Sequence, residues 1–144
     1  MKRSLFISTL ILFVLANCKK DKLTGDAKGL SGKWTWVKTD GGEFPILLTP
    51  ASTGTKKTLE FKNKGKYEIE KDGKRLEAGR ISYSEETNWT GNYFKVAFLR
   101  NTLFSKDREF PQESLLRIFG NDSLYITQNA NDVPYHIYVR QKRR

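Results

Sequence analysis

Lys56–Lys71 reads KKTLEFKNKGKYEIEK. Leu59 and Phe61 alternate with charged or polar residues, and so do Tyr67 and Ile69. Successive side chains of an extended chain point to opposite faces, so these four apolar groups share one face and the charges take the other. Between the two halves stands Asn63-Lys64-Gly65, a sequence that accepts positive φ at low cost. The stretch is therefore a β-hairpin with one buried face.

The same period of two continues on both sides. Lys33–Lys38 carries Trp34 and Trp36 on one face. Arg75–Ser84 carries Ile81 and Tyr83, and Asn92–Arg100 carries Phe94, Val96 and Phe98. Leu115–Phe119 pairs Leu116 with Ile118, and Ser123–Gln128 pairs Leu124 with Ile126. Tyr135–Gln141 aligns Tyr135, Ile137 and Val139. Lys71-Asp72-Gly73 and Gly120-Asn121-Asp122 are further hairpin signals. No stretch after Cys18 carries a helical period. Eight short strands in one domain predict an all-β, eight-stranded antiparallel up-and-down barrel, with a two-sheet sandwich as the alternative.

In an up-and-down order, alternate connections fall at the same end. Residues 39–55, 72–74, 101–114 and 129–134 then gather at one end, and 63–65, 85–91 and 120–122 at the other. Both of the longest loops lie in the first set. This predicts an elaborated mouth and a closed base.

The chain of 144 residues is one domain long, and its nine Phe, six Tyr and three Trp imply a packed core. Its formal charge is +10, which favours anionic neighbours such as phospholipid or lipopolysaccharide surfaces, or else a merely soluble basic surface. One cysteine excludes an internal disulfide, one cysteine and one histidine fall short of the usual zinc set, and no Cys/His catalytic pair is expected. No metal and no cofactor is expected.

The N-terminus has a different character. Lys2 and Arg3 precede an apolar run of 12 residues, Leu5 to Ala16, too short to span a bilayer and fit for a signal-peptide core. Leu15-Ala16-Asn17-Cys18 follows. It resembles the lipobox of bacterial lipoproteins, with Asn17 where Gly, Ala or Ser is commoner. The resemblance implies removal of 1–17, diacylglycerol on the Cys18 sulfur and a lipid anchor; loss of Lys2 and Arg3 lowers the charge to +8. An ordinary secretory signal followed by a free thiol is the alternative. Residues 18–31, polar and rich in lysine, read as a flexible tether whose lysines can sit on anionic headgroups. The barrel domain is then 32–142.

Four motifs carry a further resemblance. They are Leu30–Val37 (LSGKWTWV), Thr49–Gly54 (TPASTG), Asn63–Tyr67 (NKGKY) and Asp122–Ile126 (DSLYI). Gly32-Lys33-Trp34 is similar to the G-x-W signature of lipocalins, and the ordered set resembles the small lipocalin-like lipoproteins of Gram-negative bacteria over roughly residues 30–142. The T-D-Y motif of larger lipocalins is absent. The resemblance implies an antiparallel barrel able to enclose a small ligand. It also implies an arginine of the last strand, here Arg140, packed across Trp34 at the closed base.

Candidate sites divide between function and packing. Phe44, Ile46, Leu47 and Leu48 make the 39–55 loop too apolar to stand in water. They read either as a lid over a ligand at the mouth or as a plug in the barrel, joined by Leu103, Phe104, Phe110 and Val133. His136 reads as a surface or hydrogen-bonded residue rather than a base. Glu85 and Glu86 would point to opposite faces of a strand and cannot act as a close carboxylate pair. Ser82, Ser84 and Ser123 lack a nucleophile-elbow context. Asp122-Ser123-Leu124 resembles an O-glycosylation acceptor of Gram-negative bacteria, and a hairpin turn explains the same residues. Trp89 and Tyr93 could stack on a sugar or pack at the barrel edge. Arg140, Lys142, Arg143 and Arg144 form a basic tail without a nucleic-acid recognition motif.

No catalytic constellation is present, so an enzyme is not expected. The expected function is a cell-envelope protein, exported and lipid-anchored to a bacterial membrane, the outer membrane by preference. It would take a small apolar or amphipathic ligand in the barrel mouth. The alternative is a structural or interaction lipoprotein whose barrel is filled. Expected partners are the membrane through the lipid, a small hydrophobic ligand and an anionic envelope surface, and no nucleic acid.

Overall fold

The computed structural model describes Leu23 and residues 25–43, 46–88, 91–101 and 108–142. The signal segment 1–17 and the lipidation candidate Cys18 lie outside the described residues, as do Phe44, Trp89, Leu103 and Phe104.

The strands are β1 (Gly32–Gly41), β2 (Ile46–Leu48), β3 (Lys57–Lys62), β4 (Lys66–Lys71) and β5 (Lys74–Asn88), then β6 (Gly91–Arg100), β7 (Glu113–Phe119), β8 (Ser123–Thr127) and β9 (Tyr135–Arg140). All pairs are antiparallel. The order runs β1-β3-β4-β5-β6-β7-β8-β9, and β9 pairs back onto β1, closing an eight-stranded barrel. The sandwich alternative is thereby excluded. The strands form because each has an alternating apolar face to bury; Leu59, Phe61, Tyr67 and Ile69 of the first hairpin are all buried. Asp72 (φ 53°) and Gly73 (φ 76°) make the β4–β5 turn, and two successive positive φ values match the right-handed twist of the flanking strands. β5 and β6 approach closely at Gly79, where an added Cβ would stand 2.1 Å from the Leu99 carbonyl oxygen.

Three features depart from the sequence expectation. The first is β2, a ninth strand inside the 39–55 connection. β3 pairs with β1 only from Gly32 to Thr35, which leaves the far half of that edge open, and β2 takes Thr39–Gly41 there. Unpaired backbone groups at a sheet edge are a strong demand for a partner.

The second is a single helical turn, α1 (Pro50–Thr53). Its sequence has no helical period, but Thr49 and Ser52 form a reciprocal capping box and Gly54 ends it in the left-handed region (φ 66°).

The third concerns the tether expected over residues 18–31. Its described part is packed into the barrel. Gly25–Leu30 is a 3-10 helix, with Ala27 and Leu30 fully buried and Leu23 buried beside them. The three apolar side chains lie in the same core cluster as Trp34 and Leu124, so this segment closes the base. Isolated small apolar residues in a polar, Gly-containing run show no periodicity, and burial is decided by the hole that they fill.

Candidate functional site

The two ends of the barrel are built differently. At the base, Trp34 is fully buried and its indole N–H donates to the Leu30 carbonyl oxygen at 2.8 Å. Arg140 stands opposite in the β1–β9 register, its guanidinium carbon 4.0 Å from the centre of the Trp34 ring. The same guanidinium donates to the carbonyls of Ser31 (2.8 Å), Asn121 (2.8 Å) and Gly29. Burial lowers the Arg140 pKa and Asp122 opposes the shift. One side chain thus ties the entering 3-10 helix, the β7–β8 turn and the Trp34 ring together.

Above this base the interior is aromatic. Phe98 lies 6.5 Å from Phe61 and 5.0 Å from Tyr67, edge to face with the latter. Phe110 sits 5.4 Å from Phe98 and 6.1 Å from Tyr138. All five of these side chains are essentially inaccessible to solvent. Four open grooves are lined by described residues, and Trp36, Phe98, Phe110 and Tyr138 line none of these four.

The mouth carries a polar network. Glu77 is 1% exposed. Its carboxylate accepts from the Tyr67 hydroxyl at 2.5 Å and from the Glu109 backbone N–H at 3.2 Å. Burial first, then the bond to Glu77, raises the Tyr67 pKa, so the phenol keeps its proton and donates. The Glu109 side chain pairs with Lys57 at 2.6 Å, and the Lys57 ammonium lies 5.0 Å from the centre of the Trp36 ring. The Trp36 N–H donates to the Thr39 hydroxyl oxygen at 3.1 Å, which stands 2.8 Å from His136 Nδ1. The Thr39 oxygen, with two lone pairs, accepts from the indole in either imidazole tautomer, and the tautomer sets which of Thr39 and Nδ1 donates to the other. Burial, and next the Lys57 charge, lower the His136 pKa to about 4, so the ring is neutral near pH 7. The Tyr138 hydroxyl is buried with no hydrogen-bond partner among the described residues.

Of the residues expected at the mouth, the described ones, Ile46, Leu47, Leu48 and Phe110, do not come together. Phe110 is 2% exposed and belongs to the aromatic interior. Ile46, Leu47 and Leu48 are 41%, 61% and 42% exposed, so the expected burial of this run fails over its described part. β2 satisfies its backbone on the β1 edge outside the barrel, and the space a plug would take is filled by Phe110 and Tyr138. His136 is hydrogen-bonded, half-buried and packed edge-on against Phe110 at 5.5 Å.

Glu77, Tyr67, Lys57 and Thr39 were not among the expected site residues. For Glu77 a signal existed: two steps back from the inward Ile81 and Tyr83 lie Gly79 and then Glu77. Its partners come from β4 and from the segment before β7, a distance in sequence that no local pattern spans. Searches for a matching family model, a similar curated protein or a similar solved structure found none.

Proposed function

We propose that the chain is an exported lipoprotein, anchored through Cys18 to a bacterial membrane, with a lipocalin-like barrel that works through its outer surface and loops. The observation that carries this reading is the occupied interior. Phe61, Tyr67, Phe98, Phe110 and Tyr138 fill the space that a ligand carrier of eight strands would leave open. The anchor reading rests on Leu5–Cys18, where an apolar run ends at the chain's one cysteine.

A second reading keeps a small amphipathic ligand at the mouth. The unpaired Tyr138 hydroxyl favours it, because a buried phenol costs stability unless some group bonds it. That ligand would offer one polar atom to Tyr138 and an apolar body to the rings around it.

Native mass spectrometry of protein purified from its own membranes tests both readings. The expected species carries acyl mass on Cys18 and no second molecule. A stoichiometric co-purified small molecule would overturn the filled-barrel reading, and its loss in Tyr138→Phe would place it at the mouth. Cys18→Ala should release the protein from membranes; a processed Cys18→Ala protein that stays bound would end the anchor reading.

A further inference from the structure

Three cations lie side by side across the outer face of the barrel. The register sets Lys62 opposite Lys66, Lys66 opposite Arg80, and Arg80 opposite Leu99. Directly opposite residues have Cβ atoms about 4.5–5.5 Å apart, and like charges there destabilise the sheet. Lys62 is compensated by Glu60 and Glu68. Lys66 and Arg80, both exposed, have no ion pair among the described residues. The sheet thus holds two adjacent cations with nothing between them to offset their repulsion.

The row runs along an open groove of about 710 Å3, to which Arg75 and Arg100 add charge and where, among the described residues, Glu68 is the one acidic lining residue. Leu99, 51% exposed, closes the row with an apolar side chain. A second groove of about 480 Å3 shares Arg80 and Leu99 and continues to Lys64 and to Leu23. Leu23 is five residues from Cys18, and five residues span at most about 18 Å even when fully extended. The chain therefore enters the barrel beside the cation row, and at most about 18 Å of chain separates that point from the anchor.

We infer that the Lys62–Lys66–Arg80 row is the surface that lies against the membrane, where it binds the phosphates of anionic lipid headgroups while Leu99 meets the acyl boundary. This rests on the Cys18 anchor proposed above. The attraction of basic residues to an anionic bilayer falls off within a Debye length, about 8–10 Å, so only a face held close by a short tether can use it.

Once Cys18 is lipidated, an introduced cysteine is the one thiol that takes a label. The full-length protein bearing Ser82→Cys, in the second groove, or Asn129→Cys, in the connection after β8, is labelled with a fluorophore. It is then reconstituted into vesicles of phosphatidylcholine, alone or with phosphatidylglycerol in equal parts, that contain a headgroup-nitroxide lipid. Residue 82 should be quenched in the mixed vesicles and much less in the neutral ones, and residue 129 in neither. Lys66→Glu with Arg80→Glu should reduce quenching at 82 to the level of 129, whereas Lys56→Glu with Lys142→Glu, an equal charge change at exposed sites outside the row, should leave it. Equal quenching at 82 and 129, equal quenching in both vesicle types, or equal loss in both double variants would overturn the inference and leave the row to a soluble anion or another protein.

If Cys18 itself takes label, the anchor reading fails separately. Flotation of that unlipidated protein then decides the row. Mixed vesicles must retain it roughly tenfold better than neutral ones, and Lys66→Glu with Arg80→Glu must abolish the difference; no preference overturns the inference. The double reversal exchanges the cation pair at 66 and 80 for an anion pair at the same exposed positions, and circular dichroism checks that the barrel remains.

Discussion

Arg140 lies 4.0 Å over the ring of Trp34, and the two residues also face each other in the β1–β9 ladder that closes the barrel. The seam of the barrel and the seal of its base are therefore one contact. Trp34 supplies apolar volume and a donor to Leu30; Arg140 supplies donors to the part-buried carbonyls of Ser31 and Gly29 and to the exposed carbonyl of Asn121.

Trp34→Ala is expected to destabilise the protein by about 3–5 kcal/mol, as large core truncations do. Arg140→Lys keeps the charge but cannot form the fork, and should cost about 1–3 kcal/mol through the unpaired carbonyls. Urea unfolding of both variants checks this. A loss below about 1 kcal/mol for Trp34→Ala would mean that the base packs otherwise.

Tyr67 and Glu77 should be energetically coupled. Tyr67→Phe leaves a carboxylate oxygen buried without its donor and should cost about 1–3 kcal/mol. Glu77→Leu removes the acceptor, so the double variant should lose less than the sum of the singles, by at least about 1 kcal/mol. A double-mutant cycle in urea measures the term. Additive losses would show that the 2.5 Å contact contributes nothing of its own.

His136 should make stability depend on pH. Its folded-state pKa, near 4, is below the ordinary value of 6.5. Between these two values the unfolded chain binds the proton more readily, so stability is full above pH 6.5 and falls as pH drops towards 4. The loss should reach roughly 2–3 kcal/mol. Glu68, held low by Arg75 and then Lys62, and Glu70, held low by Lys33, contribute their own losses below the ordinary carboxylate value of 4.5. The interval from pH 6.5 to about 5.5 therefore isolates the histidine. His136→Phe should flatten the stability profile there; an unchanged slope would assign it to another group.

The strands and their order were legible because each rests on a short-range rule, whereas the pairing of Trp34 with Arg140, far apart in sequence, was expected only from the resemblance to lipocalins. Alternation assigns side chains to faces, except in β9, where Tyr138 takes the interior and Val139 of the expected Tyr135–Ile137–Val139 face is exposed; turn residues mark reversals, and antiparallel succession puts alternate connections at the same end. The mouth was less legible. Phe44 to Leu48 read as one apolar unit, yet Ile46–Leu48 form an edge strand outside the barrel. Hydrophobicity states a preference for burial and does not say which of several apolar groups obtains it. Phe110, from the other long connection, occupies the interior instead.

By itself, then, the sequence determined an all-β chain with alternating faces, the hairpin at Asn63–Gly65, and an N-terminal segment chemically unlike the rest. Only the tertiary structure decided that Gly25–Leu30 seals the base, that Glu77 is buried among Tyr67 and the Glu109 backbone, and that Lys62, Lys66 and Arg80 stand in one row. The physical reason is range. Face alternation is set by covalent geometry between neighbours, whereas a hole, a register and a charge cluster exist only once strands distant in sequence have closed on one another.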